Sequence, residues 1–146
     1  MSDILEFPEA NRCFVCGPRN PIGLHLEFEL DGEVCRSQFT PGEHHVGYDG
    51  VTHGGILYAV LDDVMANWLF LKGERAFTAR CEVRYRLPLE VGTTIRLEGR
   101  LLRRRRRLVQ LEGHAIRESD GATVAECQST FMLVEQGPGA QQSVDG

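Results

Sequence analysis

His53-Gly-Gly-Ile-Leu-Tyr-Ala-Val-Leu-Asp-Asp-Val-Met-Ala-Asn-Trp-Leu-Phe-Leu71 is the one long apolar segment of the chain. Thr52 before it can cap a helix start, and Lys72-Gly73 after it can end one, which predicts a helix of about five turns. Nearly every face of that helix is apolar, so it is expected to be buried with other elements wrapped about it.

The flanks say what does the wrapping. Upstream, Leu24, Leu26, Phe28 and Leu30 alternate with His25, Glu27 and Glu29, the period of a half-buried strand. Asp31-Gly32 then signals a turn and Glu33 to Phe39 a second strand, together a hairpin. Pro41 to Thr52, with Gly42, Gly47 and Gly50, reads as a loop leading into the helix. Downstream, Phe77–Leu87, Thr93–Leu102, Leu108–Arg117 and Thr123–Val134 alternate, with Gly92 and Asp120-Gly121 marking turns. Two strands, one buried helix and four strands predict an α+β fold in which an antiparallel sheet curls around a single central helix. Residues 23–135 form this domain. Residues 1–22, with three prolines and little periodicity, read as an irregular arm, and residues 136–146, rich in Gly, Gln and Ser, as a disordered tail.

The chain has 146 residues, enough for one domain with its own core, and 42% apolar with 25% charged residues is ordinary globular composition. Sixteen basic against twenty-one acidic residues leave a net charge of -5, which repels nucleic acid and anionic lipid. The N-terminal sequence lacks the basic and apolar regions of a signal peptide, and no apolar run reaches the roughly 18 residues of a membrane span. Five cysteines, Cys13, Cys16, Cys35, Cys81 and Cys127, are an odd number and read as reduced thiols of a cytoplasmic protein.

Chemistry concentrates on the helix. At its start, His53-Gly54-Gly55 offers backbone N–H groups that have no intrahelical partner, at the positive end of the dipole. The glycines allow a ligand close to those groups, the equipment for stabilising an oxyanion; the plainer alternative is a glycine entry needed only for packing. In its middle stand Asp62 and Asp63, where a buried carboxylate costs several kcal/mol unless it is partnered. Adjacent helical residues point about 100° apart, so one of the two is expected to face solvent or a subunit seam. Gly54 and Asp62 are eight residues, hence about 12 Å, apart along one helix, too far to act on one carbonyl. Two helices packed antiparallel across a two-fold axis bring the start of each beside the middle of the other, which predicts a homodimer with two composite sites.

His45 to Gly55, His-Val-Gly-Tyr-Asp-Gly-Val-Thr-His-Gly-Gly, followed by the apolar run into Leu61-Asp62-Asp63, resembles the hotdog-fold acyl-CoA thioesterases, with the phenylacetate-degradation type the nearest group. Cys13-Phe-Val-Cys16-Gly17 with Asn20-Pro-Ile-Gly23-Leu24 resembles a subgroup of the same family, and the likeness spans about residues 13 to 134. The resemblance implies that Gly54 or Gly55 supplies the oxyanion N–H. It also implies that Asp62, nine positions after the histidine, attacks the thioester carbon or activates a water, that His53 holds the helix entry and the substrate carbonyl, and that Thr78 supplies a hydroxyl from the following strand. Related enzymes often carry Asn or Gln in the loop before the diglycine; here Val46 and Gly47 stand there, and His45 or Asp49 is the nearest replacement.

Arg103 to Arg107 form a run of five arginines in an acidic protein. Either they are a solvated hairpin tip whose charge discourages edge pairing, or some of them, with Arg103, Arg105 and Arg107 the candidates, clamp the phosphates of coenzyme A. No aromatic residues interleave the run, which argues against nucleic acid as a partner. Cys13 and Cys16 are half of a zinc site that Cys35, His25 or a second chain would have to complete; buried reduced thiols are the plainer reading, and no metal is expected. Asn67 is a candidate for substrate contact across the seam, and Tyr58 and Trp68 are core residues or the lining of an acyl tunnel.

The expectation is therefore hydrolysis of an acyl-CoA to free acid and CoA without any cofactor, by a dimer or a dimer of dimers, with neither membrane nor nucleic acid as partner. A hydratase or dehydratase acting on acyl thioesters, or an acyl-CoA-binding module, are the alternatives.

Overall fold

The computed structural model describes residues 9–135, so the expected tail lies outside the described residues, as does the start of the arm. The elements are β1 (Glu29–Asp31), β2 (Val34–Phe39), α1 (Gly54–Phe70), β3 (Ala76–Tyr85), β4 (Ile95–Arg105), β5 (Leu108–Arg117) and β6 (Thr123–Leu133). The strands form one antiparallel sheet in the order β1-β2-β4-β5-β6-β3, curved around the one helix of the described residues as the element order predicts.

Leu57, Val60, Leu61, Val64, Met65, Trp68 and Leu69 of α1 are buried against Phe39, Ile95, Leu97, Val109, Leu111, Val124 and Phe131 of the sheet. Each such side chain contributes roughly 1.5–3 kcal/mol by leaving water. The helix lies close to the strands because its seat has almost no side chains. Gly99 of β4 pairs with Gly113 of β5, which pairs with Cys127 of β6. A Cβ on Gly99 would stand 2.6 Å from the Val64 carbonyl oxygen, and one on Gly113 3.1 Å from Cys127 Sγ and 3.3 Å from Met65.

Several sequence expectations change in detail. The first hairpin strand shrinks to Glu29–Asp31. Leu24, Leu26 and Phe28 keep their alternating burial and pack on the core, but their backbone turns elsewhere. Leu24 N–H donates to Phe14 O (2.8 Å) and Leu26 N–H to Val15 O (2.9 Å), while His25 adopts a left-handed φ of 57° that breaks strand geometry. The arm is thus stitched onto the domain, and Val15 is part of the core.

The helix cap also differs. His53, not Thr52, is the N-cap: its backbone is extended and its Nδ1 accepts the Gly55 N–H at 2.8 Å. Thr52 is instead buried, its hydroxyl without a partner among the described residues. At the other end Gly73 takes a φ of 89° and its N–H reaches Phe70 O, as a stop signal should.

β4 runs on to Arg105, so three of the five arginines lie in a strand and only Arg106 and Arg107 form the turn. Arg106 has a φ of 57° there. Two elements of the sheet carry bulges next to residues of interest, one between Leu101 and Arg103 and one between Thr78 and Arg80. β3 lies at the edge of the sheet and is exposed along most of its length, Phe77 by 63% and Tyr85 by 53%. Among the described residues no helix is long and apolar enough to cross a membrane.

Candidate active site

The geometry of α1 separates the two aspartates. Asp62 turns to β3, where Thr78 Oγ1 donates a 2.7 Å hydrogen bond to its Oδ1. The bulge directly after Thr78 gives the hydroxyl this aim, since an extra residue bends the strand and redirects the side chain beside it. Burial pushes the Asp62 carboxyl above its ordinary range, and the Thr78 hydrogen bond opposes that rise. With Oδ1 engaged, Oδ2 accepts no hydrogen bond among the described residues.

Tyr58, one turn before Asp62, lies on the same flank. Burial, with Cys81 and Asp62 nearby, pushes its phenol up to about 12. At the helix start Tyr85, from the far end of β3, donates its hydroxyl to Gly54 O at 2.9 Å, and its ring would lie 3.6 Å from a Cβ at position 54. β3 therefore runs antiparallel beside α1, its beginning at Asp62 and its end at Gly54. Tyr85 was not singled out from the sequence. Its signal was position alone, the last residue of a strand whose other end holds Thr78.

The two glycines are not equivalent. Gly55 spends its N–H on His53 Nδ1, and a Cβ there would meet the His53 ring at 3.1 Å. Gly54 N–H has no acceptor among the described residues and is exposed at the helix start. It is the donor available to a ligand. Gly54 and Asp62 of one chain remain about 12 Å apart along the axis, as the rise of a helix requires.

His45 holds the loop before the helix. Its Nδ1 accepts the Gly42 N–H at 2.9 Å, its ring tilts against Phe39 with centroids 5.6 Å apart, and its carbonyl accepts the His53 N–H at 2.8 Å. The arginine run divides. Arg104 pairs with Glu74, and Arg107 bonds Leu133 O at 3.2 Å and faces Glu135, whereas Arg103 and Arg105 are exposed.

Asp63 turns the other way, so neither aspartate points into open solvent. Cys13 Sγ lies 3.6 Å from its Oδ1, and Asn67 Nδ2 donates to its Oδ2 at 3.1 Å. Burial pushes the Asp63 carboxyl up, while hydrogen bonds from Cys16, Cys13 and Asn67 oppose the rise. Burial pushes the Cys16 thiol up as well, helped by the nearby Asp63 charge. Asn67 thus sits on the arm side of the helix, not beside Asp62. Cys13 and Cys16 meet Asp63, where the sequence suggested Cys35 or His25; His25 Nε2 instead contacts Asn20 O at 2.6 Å.

Residues 49–124 match the family model described as the thioesterase superfamily. No curated protein matches the chain by sequence. Among solved structures, a thioesterase superfamily protein superposes with a TM-score of 0.76 at 25% identity, covering 84% of this chain; the chain spans only 63% of that protein's length. A hypothetical thioesterase from Streptococcus pneumoniae, solved with coenzyme A, has a TM-score of 0.71 at 16% identity over 77% of this chain and 90% of its own. The same bacterial protein is also known with an aspartate replaced by alanine and with a threonine sixteen positions later replaced by alanine. The E. coli PaaI protein of the phenylacetic acid degradation operon has a TM-score of 0.69 at 16% identity over 75% of this chain and 83% of its own.

Proposed function

The chain belongs to the thioesterase superfamily, and on that premise we propose that it hydrolyses acyl-CoA thioesters at two sites, each shared between two copies of the chain. The observation that carries this reading is the pairing of a half-buried, hydroxyl-held Asp62 with a Gly54 N–H unpartnered among the described residues on one helix, at a separation that one carbonyl cannot bridge.

In the proposed site the thioester oxygen rests on Gly54 N–H of one copy. Asp62 of the other drives attack at the carbonyl carbon, either directly or through a water whose proton Oδ2 accepts. The oxyanion of the tetrahedral intermediate is stabilised by the N–H and the helix dipole. The C–S bond then breaks, the thiolate of CoA leaves and is protonated, and the net reaction consumes one water. His53 shapes the entry by its cap, and Thr78 positions Asp62. Arg103 and Arg105, exposed on β4 without partners among the described residues, are suited to CoA phosphates. The aspartate and threonine replaced in the Streptococcus pneumoniae protein stand sixteen positions apart, as do Asp62 and Thr78, which supports treating these two as a unit. The long exposed edge of β3 supports pairing with a second copy, since such an edge invites another strand.

Complementation tests the shared site. Gly54 is the first helical residue and His53 before it is extended, so Gly54→Pro removes the N–H with little cost to the helix. Gly54→Pro and Asp62→Asn should each lose acyl-CoA hydrolysis, read as free thiol, by about a hundredfold or more. Mixed and reassembled, the two variants should regain activity, because each hybrid dimer holds one intact site. No recovery despite proven subunit exchange overturns the shared site. Full activity of both variants overturns the residue roles, and substrate consumption without thiol release points to hydration of the acyl group instead.

A further inference from the structure

The proposed hydrolysis uses Asp62 and leaves Asp63 unexplained, together with the two arm cysteines gathered against it. Cys13 and Cys16 flank a tight turn. Gly17 N–H bonds Cys13 O at 2.8 Å, and any Cβ at Gly17 would fall 2.2 Å from Cys13 N, so the turn closes only with glycine there. The Cys16 N–H points at Cys13 Sγ at 3.5 Å. The two sulfurs and a carboxylate oxygen of Asp63 all lie within 4.8 Å of one another, and Cys13 Sγ to Asp63 Oδ1 is 3.6 Å.

The 3.6 Å from Cys13 Sγ to Asp63 Oδ1 is what a tetrahedral ion imposes, and the 4.8 Å bound leaves the two sulfurs within reach of the same ion. Zinc bonds of about 2.3 Å to sulfur and about 2.0 Å to oxygen place neighbouring S and O ligands about 3.5 Å apart and two sulfurs about 3.8 Å apart. We propose that Cys13, Cys16 and Asp63 bind a zinc ion that clamps the N-terminal arm to α1. Two thiolates favour zinc over magnesium or calcium, which take oxygen ligands.

The surroundings supply the outer hydrogen bonds such a site needs. Asn67 Nδ2 donates to Asp63 Oδ2 at 3.1 Å and lies 3.8 Å from Cys16 Sγ, orienting two of the three ligands. The cluster opens onto a cavity of about 150 Å³ that also holds Glu9 and Arg75, so a water has room to fill the fourth position. The Arg75 guanidinium, stacked on Phe70, and the Glu9 carboxylate paired with it line the same cavity. On binding, both thiols lose their protons to solvent and no oxidation occurs.

The full chain, purified without chelator, should contain about one zinc per molecule, and the metal-stripped protein given cobalt(II) should develop the near-ultraviolet sulfur-to-cobalt band of thiolate ligation. Cys16→Ser and Asp63→Asn should lose the stoichiometric metal, Cys81→Ser should keep it, and Asn67→Ala should weaken binding about tenfold to a hundredfold. Should those variants fail to fold, zinc added to the unaltered chain must still protect Cys13 and Cys16 from alkylation. No zinc and no cobalt–sulfur band in the folded chain overturns the proposal, as does an unchanged band in Cys16→Ser or a Cys13–Cys16 disulfide in place of metal. Each readout is metal content or thiol protection, so the outcome stands apart from whether acyl-CoA is hydrolysed.

Discussion

Asp62 and Asp63 are neighbours in the chain, both half-buried and both pushed above the ordinary carboxylate range by burial, yet one is held by a single hydroxyl and the other by two thiols and an amide. Asp62 faces the sheet edge, where β3 is exposed and a second copy can approach. Asp63 faces the chain's own arm, which already covers it. The difference teaches that helical phase, not residue type, decides which partners each carboxylate meets. Asp62 keeps one oxygen uncommitted among the described residues, as the proposed acid requires, and Asp63 is surrounded by donors and sulfur, as the proposed clamp requires.

The largest effect that tests this division is on turnover. Asp62→Asn should lower kcat for acyl-CoA hydrolysis about a thousandfold without altering the circular dichroism of the fold. Wild-type rates in that variant would erase the distinction between the two aspartates. Next in size is a change beneath both of them. Gly99→Ala drives a methyl group into the Val64 carbonyl of the helix, and urea unfolding should register a loss of about 1–3 kcal/mol. An unchanged midpoint would mean that the helix does not depend on its glycine seat. Smaller again is Thr78→Val, which removes one hydrogen bond from Asp62 and should reduce kcat about tenfold with little change in KM, while Thr78→Ser restores it. If KM rises instead, Thr78 contacts substrate and does not merely position the acid.

A third carboxylate supplies the smallest effect and the opposite sign. Burial alone would raise the Glu98 carboxyl, but hydrogen bonds from Arg100 and Arg36 outweigh it and hold it below its ordinary range. A depressed folded value stabilises the native state fully above the unfolded pKa of about 4.5, and that contribution is lost as pH falls from there through the lower folded value. Thermal melts from pH 6 to pH 3 should therefore show the unaltered protein losing more stability on acidification than Glu98→Gln. Parallel curves would remove Glu98 from the acid response.

The helix, its burial and the order of strands about it were legible in the sequence because an apolar run and period-2 alternation report burial directly. The proposed composite dimer rests on the rise of a helix, which sets Gly54 and Asp62 about 12 Å apart within one chain. Other features left no periodic trace. Thr52 and His53 can both cap a helix, and only the backbone turn decides that His53 does. Leu24 and Leu26 alternate like strand residues, yet bond to Phe14 and Val15 because a left-handed His25 interrupts the ladder. A bulge adds one residue without disturbing composition, so the aim of Thr78 was hidden. Asp63 found its partners fifty positions away, in a turn whose tightness depends on Gly17.

The bare seat under α1 governs where this scaffold is free to vary. At Gly99 and Gly113 the helix and strands meet backbone to backbone or nearly so, leaving no rotamer to adjust and no bulk to trade. Variation in side-chain bulk must then fall on the exposed positions of β3 and on the other flanks of α1, while the underside of the helix stays as it is.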